Sequence, residues 1–150
     1  MERITSFSVN HDTLEPGVYI SRIDGDITTY DLRFIKPNTP PYLDIDAMHT
    51  IEHLFATYAR NDSLKDNVIY FGPMGCRTGF YLLMRNTSNE DALEYIKTVI
   101  MDCINHKGEI PGSKKIECGN YLAHNAEKAH NSLVEFYDRI KTLQVNDLFY

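Results

Sequence analysis

The sequence predicts an α+β fold, an antiparallel β-sheet covered by helices on one face. Three observations predict it. Strand-like runs occur in hairpin pairs, runs with apolar residues at three- and four-residue spacing lie between and after those pairs, and no repeat, linker or low-complexity tract breaks the order.

The first pair opens at Gly17 and runs to Ile23, where Asp24-Gly25-Asp26 supplies the turn chemistry that reverses the chain. In the returning strand Tyr30, Leu32 and Phe34 alternate with Asp31 and Arg33. That alternation places Arg33 on the face that does not pack into the core, where a ligand can meet it. Prolines at 37, 40 and 41 end the sheet pattern, because proline lacks the ladder donor and biases its predecessor toward extended backbone.

From about Asp46 to Arg60 the residues Met48, Ile51, Leu54, Phe55 and Tyr58 form one apolar stripe, so a helix is expected with Asp46 as its N-cap. Residues Val68 to Phe71 and Phe80 to Met84 read as two buried strands flanking the loop Gly72-Pro73-Met74-Gly75-Cys76-Arg77-Thr78-Gly79. A second helix, about Asn89 to Asn105, buries Leu93, Ile96, Ile100 and Cys103. A third, about Asn125 to Leu143, buries Ala126, Ala129, Leu133, Phe136 and Ile140.

With 150 residues, 43% of them hydrophobic, the chain suits one domain spanning residues 1–150. A net charge of -6 argues against a nucleic-acid binder, since counterion release requires clustered Lys and Arg. No run approaches the roughly 20 apolar residues of a bilayer span, and the first residues do not form a signal peptide, so the expectation is a cytoplasmic protein without a membrane partner. Three cysteines do not make a disulfide framework; reduced thiols are expected, each to be judged by its neighbourhood.

The chemistry-bearing signal is His49-Thr50-Ile51-Glu52-His53, an H-x-x-E-H pentapeptide inside a helical pattern. At about 100° per residue, His49 and His53 stack one turn apart with Glu52 beside them, while Ile51, Leu54, Phe55 and Tyr58 cover most of the opposite arc. Two imidazoles so arranged offer two nitrogens to a divalent ion, and the carboxylate stays free for proton transfer. The plain alternative is two ordinary histidines on a half-exposed helix face next to a solvated glutamate.

A catalytic metal site commonly takes three protein ligands. Cys103 falls on a core stripe and reads as packing. His106, His124 and His130 lie at helix ends or polar faces, where surface histidines are common, and remain unassigned. Cys118, outside any stripe and next to Gly119, is the better third ligand. Cys76, framed by glycines and beside Arg77, reads as an acid–base thiol, against the alternative of a loop cysteine with no task.

Taken together, the H-x-x-E-H block, residues Gly72 to Tyr81 and Glu117-Cys118-Gly119-Asn120 resemble the three signature blocks of the S-ribosylhomocysteine lyase (LuxS) family. The similarity extends to Ser6-Phe7, His11, Asp31-Leu32-Arg33-Phe34 and Lys36-Pro37-Asn38, and so covers nearly the whole chain. The resemblance implies His49, His53 and Cys118 as metal ligands, Glu52 and Cys76 as the acid–base pair, and Ser6, His11 and Arg33 at the substrate. It also implies Fe²⁺, one per subunit, with Zn²⁺ or Co²⁺ able to substitute, and a homodimer with active sites at the subunit interface. The implied reaction cleaves the thioether of S-ribosylhomocysteine to homocysteine and 4,5-dihydroxy-2,3-pentanedione, the autoinducer-2 precursor, by carbonyl migration and β-elimination. Two other readings stand beside it. H-x-x-E-H is also the inverzincin metallopeptidase pattern, and a structural metal site would recruit Cys76 as a fourth ligand and close the coordination sphere.

Overall fold

The computed structural model describes residues 1–150. Strands β1 (Gly17–Asp24) and β2 (Ile27–Arg33) form the first hairpin, closed by Gly25 at φ 60, a left-handed conformation that glycine adopts without steric penalty. Strands β3 (Val68–Pro73) and β4 (Gly79–Arg85) form the second. The two hairpins join through β2 and β4 into one antiparallel sheet of order β1-β2-β4-β3. That junction depends on Gly79, where a Cβ would stand 2.3 Å from the Leu32 carbonyl oxygen.

Helix α1 (Ile45–Ala59) connects the hairpins; α2 (Asn89–Ile104) and α3 (Ala126–Ile140) follow the second. Their apolar stripes meet one face of the sheet, and the core lies between. Register sets that face: Val18, Leu32 and Phe80 align across three strands, and Ile20, Tyr30, Leu82 and Phe71 across four. Phe34 carries the packing onto α3, stacking on Phe136 at 3.9 Å and meeting Phe80 edge-on at 5.1 Å. Cys103 is buried in α2 as its stripe position requires.

Three expectations about the fold need correction. Ala126, expected in the buried stripe of α3, is exposed, because it stands in the first turn ahead of the stripe that Ala129, Leu133, Phe136 and Ile140 form. The N-cap of α1 is Asp44, not Asp46: the Asp44 side chain accepts from the backbone N–H groups of Asp46 and Ala47, so Asp46 falls in the first turn. Arg33 does lie on the sheet face opposite the helices, yet it is only 3% exposed and Asp31 is wholly buried. The reason is a cover on that face. Tyr150 stacks on Tyr19 at 4.9 Å, and its hydroxyl donates to Asp31 Oδ2 at 2.6 Å, directly above the register row Tyr19, Asp31, Tyr81.

Candidate metal centre and active site

Helix periodicity brings His49 and His53 together, with ring centroids 4.6 Å apart, and backbone carbonyls fix how each ring is presented. His49 Nδ1 lies 2.7 Å from the Ala123 carbonyl oxygen and His53 Nδ1 lies 2.8 Å from that of Pro111. A carbonyl only accepts, so Nδ1 carries the proton in both rings and Nε2 keeps a lone pair. Gly112, at φ 67, allows the second contact, because a Cβ there would sit 3.3 Å from His53 Nδ1.

Cys118 arrives from the loop between α2 and α3, its Sγ 3.4 Å from His49 Nε2. The two imidazoles and the distant thiol therefore meet, as the sequence led us to expect. A fourth side chain joins them. His124 has a donor atom in the same group, all four donor atoms lie within 4.8 Å of one another, and the group could hold a metal ion. Its ring stacks on His49 at 4.0 Å and meets His53 edge-on at 4.8 Å, while Nδ1 lies 3.0 Å from Thr50 Oγ1. Burial, then the charges of His49 and His53, lower the His124 pKa and favour the neutral ring. Two nitrogens of set tautomer and a thiol suit a divalent transition metal.

One cavity adjoins this group through His49, and a second shares with it the lining segment Pro73-Met74-Gly75. The first, of about 440 Å³, is lined by His49, Glu52, Met48, Asn120 and Ala123. The other, of about 510 Å³, gathers Ser6 and His11 from the segment before β1, Arg33 from the end of β2 and Cys76 from the loop between β3 and β4. His11 donates from Nδ1 to the Val9 carbonyl at 2.8 Å, which leaves its Nε2 lone pair free.

At Cys76 the neighbouring cation differs from the one expected. Arg77 donates from Nε to the Leu43 carbonyl at 2.8 Å and holds a left-handed φ of 62, which ties the loop to the residue before Asp44. Arg33 takes the place beside the sulfur, with Nη1 at 4.0 Å. It also donates to Thr78 Oγ1 at 2.8 Å, and Thr78 Oγ1 lies 3.1 Å from Cys76 Sγ. With its oxygen accepting from Arg33, the Thr78 hydroxyl can turn its hydrogen to the sulfur, giving the two donors that a thiolate needs. Arg33 is in turn paired to Asp31 Oδ2 at 2.7 Å. Burial works against the guanidinium charge, but Asp31, with smaller contributions from Cys76 and Tyr150, raises the Arg33 pKa overall. Cys76 stands outside the four-residue donor group, so a closed structural site that includes it has no support.

The S-ribosylhomocysteinase (LuxS) family model matches residues 4–146. The chain belongs to that family. LuxS relatives of known name include an S-ribosylhomocysteine lyase of Clostridium acetobutylicum, 48% identical over 137 residues, which covers 87% of this chain and 86% of the relative. Others are the S-ribosylhomocysteine lyases of Finegoldia magna, 43% identical over 100% of this chain and 99% of the relative, and of Borreliella afzelii, 38% identical over the same shares.

Proposed function

We propose that the protein is an S-ribosylhomocysteine lyase, a metal-dependent carbon–sulfur lyase in which His49, His53 and Cys118 hold the metal. The observation that carries this reading is the convergence of those donor atoms beside a cavity lined by Glu52, in a chain of the LuxS family. A metal bound there supplies Lewis acidity toward the sugar carbonyl.

The chain's own groups account for the proton traffic. Cys76 Sγ, held by Arg33 and Thr78, removes a proton next to a carbonyl and returns it to the neighbouring carbon, which moves the carbonyl along the ribose without net oxidation. Glu52 shuttles the hydroxyl protons. With the ketone at C3, proton loss from C4 breaks the C5–S bond, homocysteine leaves as the thiol, and the remaining enol becomes 4,5-dihydroxy-2,3-pentanedione. Ser6, His11 and Arg33 orient the substrate hydroxyls, and the buried Arg33–Asp31 pair keeps the guanidinium from swinging out of the cavity.

The resident metal is Fe²⁺, one per subunit, with Zn²⁺ or Co²⁺ as substitutes; two imidazoles and one thiolate leave such an ion a net positive charge. The protein works as a single domain in a cytoplasmic homodimer with active sites at the interface. Phe7 and Ile45, strongly exposed at the rims of the two cavities, support that association. No helix is long and apolar enough to cross a membrane. The pentanedione product feeds autoinducer-2 signalling, and the homocysteine returns to methionine.

The metallopeptidase alternative is disfavoured by the family match. Incubating the purified protein with S-ribosylhomocysteine and with an unstructured protein separates the two. Release of homocysteine thiol without proteolysis is the expected result; proteolysis without thiol release would overturn the proposal.

A further inference from the structure

The three histidines of the donor group are not equivalent. His49 and His53 each set Nδ1 against a backbone carbonyl, which fixes Nε2 as a lone-pair donor. His124 sets Nδ1 against the hydroxyl of Thr50, which can donate as well as accept. What that hydroxyl does is decided by its other bond. Thr50 is fully buried, and its Oγ1 already accepts the backbone N–H of Asn125 at 3.0 Å. Its own hydrogen has one acceptor within reach, His124 Nδ1. If the hydrogen turned elsewhere, a buried donor would lose its hydrogen bond.

Donation from Thr50 makes His124 Nδ1 the acceptor and puts the ring proton on Nε2. Nε2 lies 3.9 Å from Cys118 Sγ. The ring stacked on His49 therefore turns an N–H toward the sulfur.

We propose that His124 is a positioning residue that donates a hydrogen bond from Nε2 to the Cys118 thiolate, and that it is not a fourth metal ligand. The inference rests on the reading of Cys118 as a ligand. A donor at the sulfur draws negative charge from the thiolate, so the metal keeps more of its electrophilic character. It also leaves the protein ligand count at three, which an open catalytic site requires and a closed structural site does not. Thr50 is the residue that selects this role: it stands inside the H-x-x-E-H block yet points to His124 rather than to metal or substrate.

Co²⁺-loaded protein tests this, because the thiolate-to-Co²⁺ charge-transfer band reports the energy of the sulfur lone pair independently of turnover. His124→Phe keeps a stacked ring and removes the donor; the band should move to longer wavelength and Co²⁺ should bind about ten- to hundredfold more weakly. His124→Gln, which retains an N–H, should restore the band toward its original position. Thr50→Val leaves the imidazole in place but frees its tautomer, and should shift the band in the same direction as His124→Phe. X-ray absorption on the unsubstituted protein should count two imidazole nitrogens and one sulfur. Three imidazole nitrogens, or a band indifferent to all three variants, would overturn the proposal while leaving the metal site intact. A band that survives Cys118→Ser would instead overturn the ligand assignment itself, and this inference with it.

Discussion

Arg33 Nη1 lies 4.0 Å from Cys76 Sγ, from a guanidinium that is buried and anchored to Asp31. The thiol assigned to proton transfer is thus held by a charge that cannot drift into solvent. The metal-binding group is built separately, on α1 and the loop before α3. The acid–base and metal roles should therefore separate by mutation. Cys76→Ala should lower kcat by about 10² to 10⁴ while metal content stays at one per chain. His53→Ala should lose both. Metal analysis alongside thiol release measures the pair, and a Cys76→Ala protein of normal activity would remove the thiolate from the mechanism.

The three thiols should differ in reactivity. Cys76 is exposed, Cys118 half-buried and Cys103 buried, and burial pushes the Cys103 thiol pKa up. In metal-loaded protein a colorimetric thiol reagent should titrate one cysteine quickly. Chelation should expose a second, Cys118, and denaturant the third. Fast reaction of two thiols in fully loaded protein would mean that Cys118 is not held by the metal.

Tyr150 should matter to the site without touching substrate. Its hydroxyl donates to Asp31, whose other oxygen has no hydrogen-bond partner, and burial together with Asp31 pushes the phenol pKa up so that it stays a donor. Tyr150→Phe should cost about 1.5–3 kcal/mol of stability, the worth of a hydrogen bond to a charged group, as read from urea unfolding. KM for the substrate should rise as Arg33 loosens. A variant of unchanged stability and KM would show that the Asp31–Arg33 pair holds without this cover.

Asp44 should stabilise the helix that carries His49 and His53. Lys128 and the backbone N–H groups of Ala47 and Asp46 hold its carboxylate below the ordinary value of 3.8. A depressed folded pKa contributes stability above the unfolded value and loses it as pH falls through the folded one. Asp44→Ala should therefore cost about 1 kcal/mol at neutral pH, typical of a lost N-cap, and the difference from the unsubstituted protein should shrink as acid unfolding is followed below that value. A difference that persists undiminished in acid would assign the effect to something other than the carboxylate charge.

Much of this architecture was legible in residue pattern. Turn chemistry, alternation in β2 and short apolar runs at β3 and β4 located the four strands, the period of 3.6 located the three helices, and helix geometry alone put His49, Glu52 and His53 on one side of α1. What pattern could not carry was contact between distant segments. Asp31 and Arg33 alternate as solvent-facing residues do; only a residue more than a hundred positions away turns that face into an interior. Arg77 adjoins Cys76 in sequence, but its backbone conformation sends it to Leu43, and Arg33 replaces it across the β2–β4 pairing. His124 looked like a histidine before a helix, and its place in the donor group follows from Thr50, an unremarked residue within the strongest motif. One signal was available: His124 lies six residues after Cys118, close enough for one loop to bring both to the same centre.

The central claim is that two imidazoles of one helix and a remote thiolate hold a single divalent cation on which the cleavage depends. Metal-free protein titrated anaerobically with Fe²⁺, with homocysteine release from S-ribosylhomocysteine followed at each addition, measures this directly. Activity should begin near zero and rise in proportion to added iron until one equivalent per chain is reached. Full activity in the metal-free protein, or iron binding to saturation with no thiol released, would contradict the account.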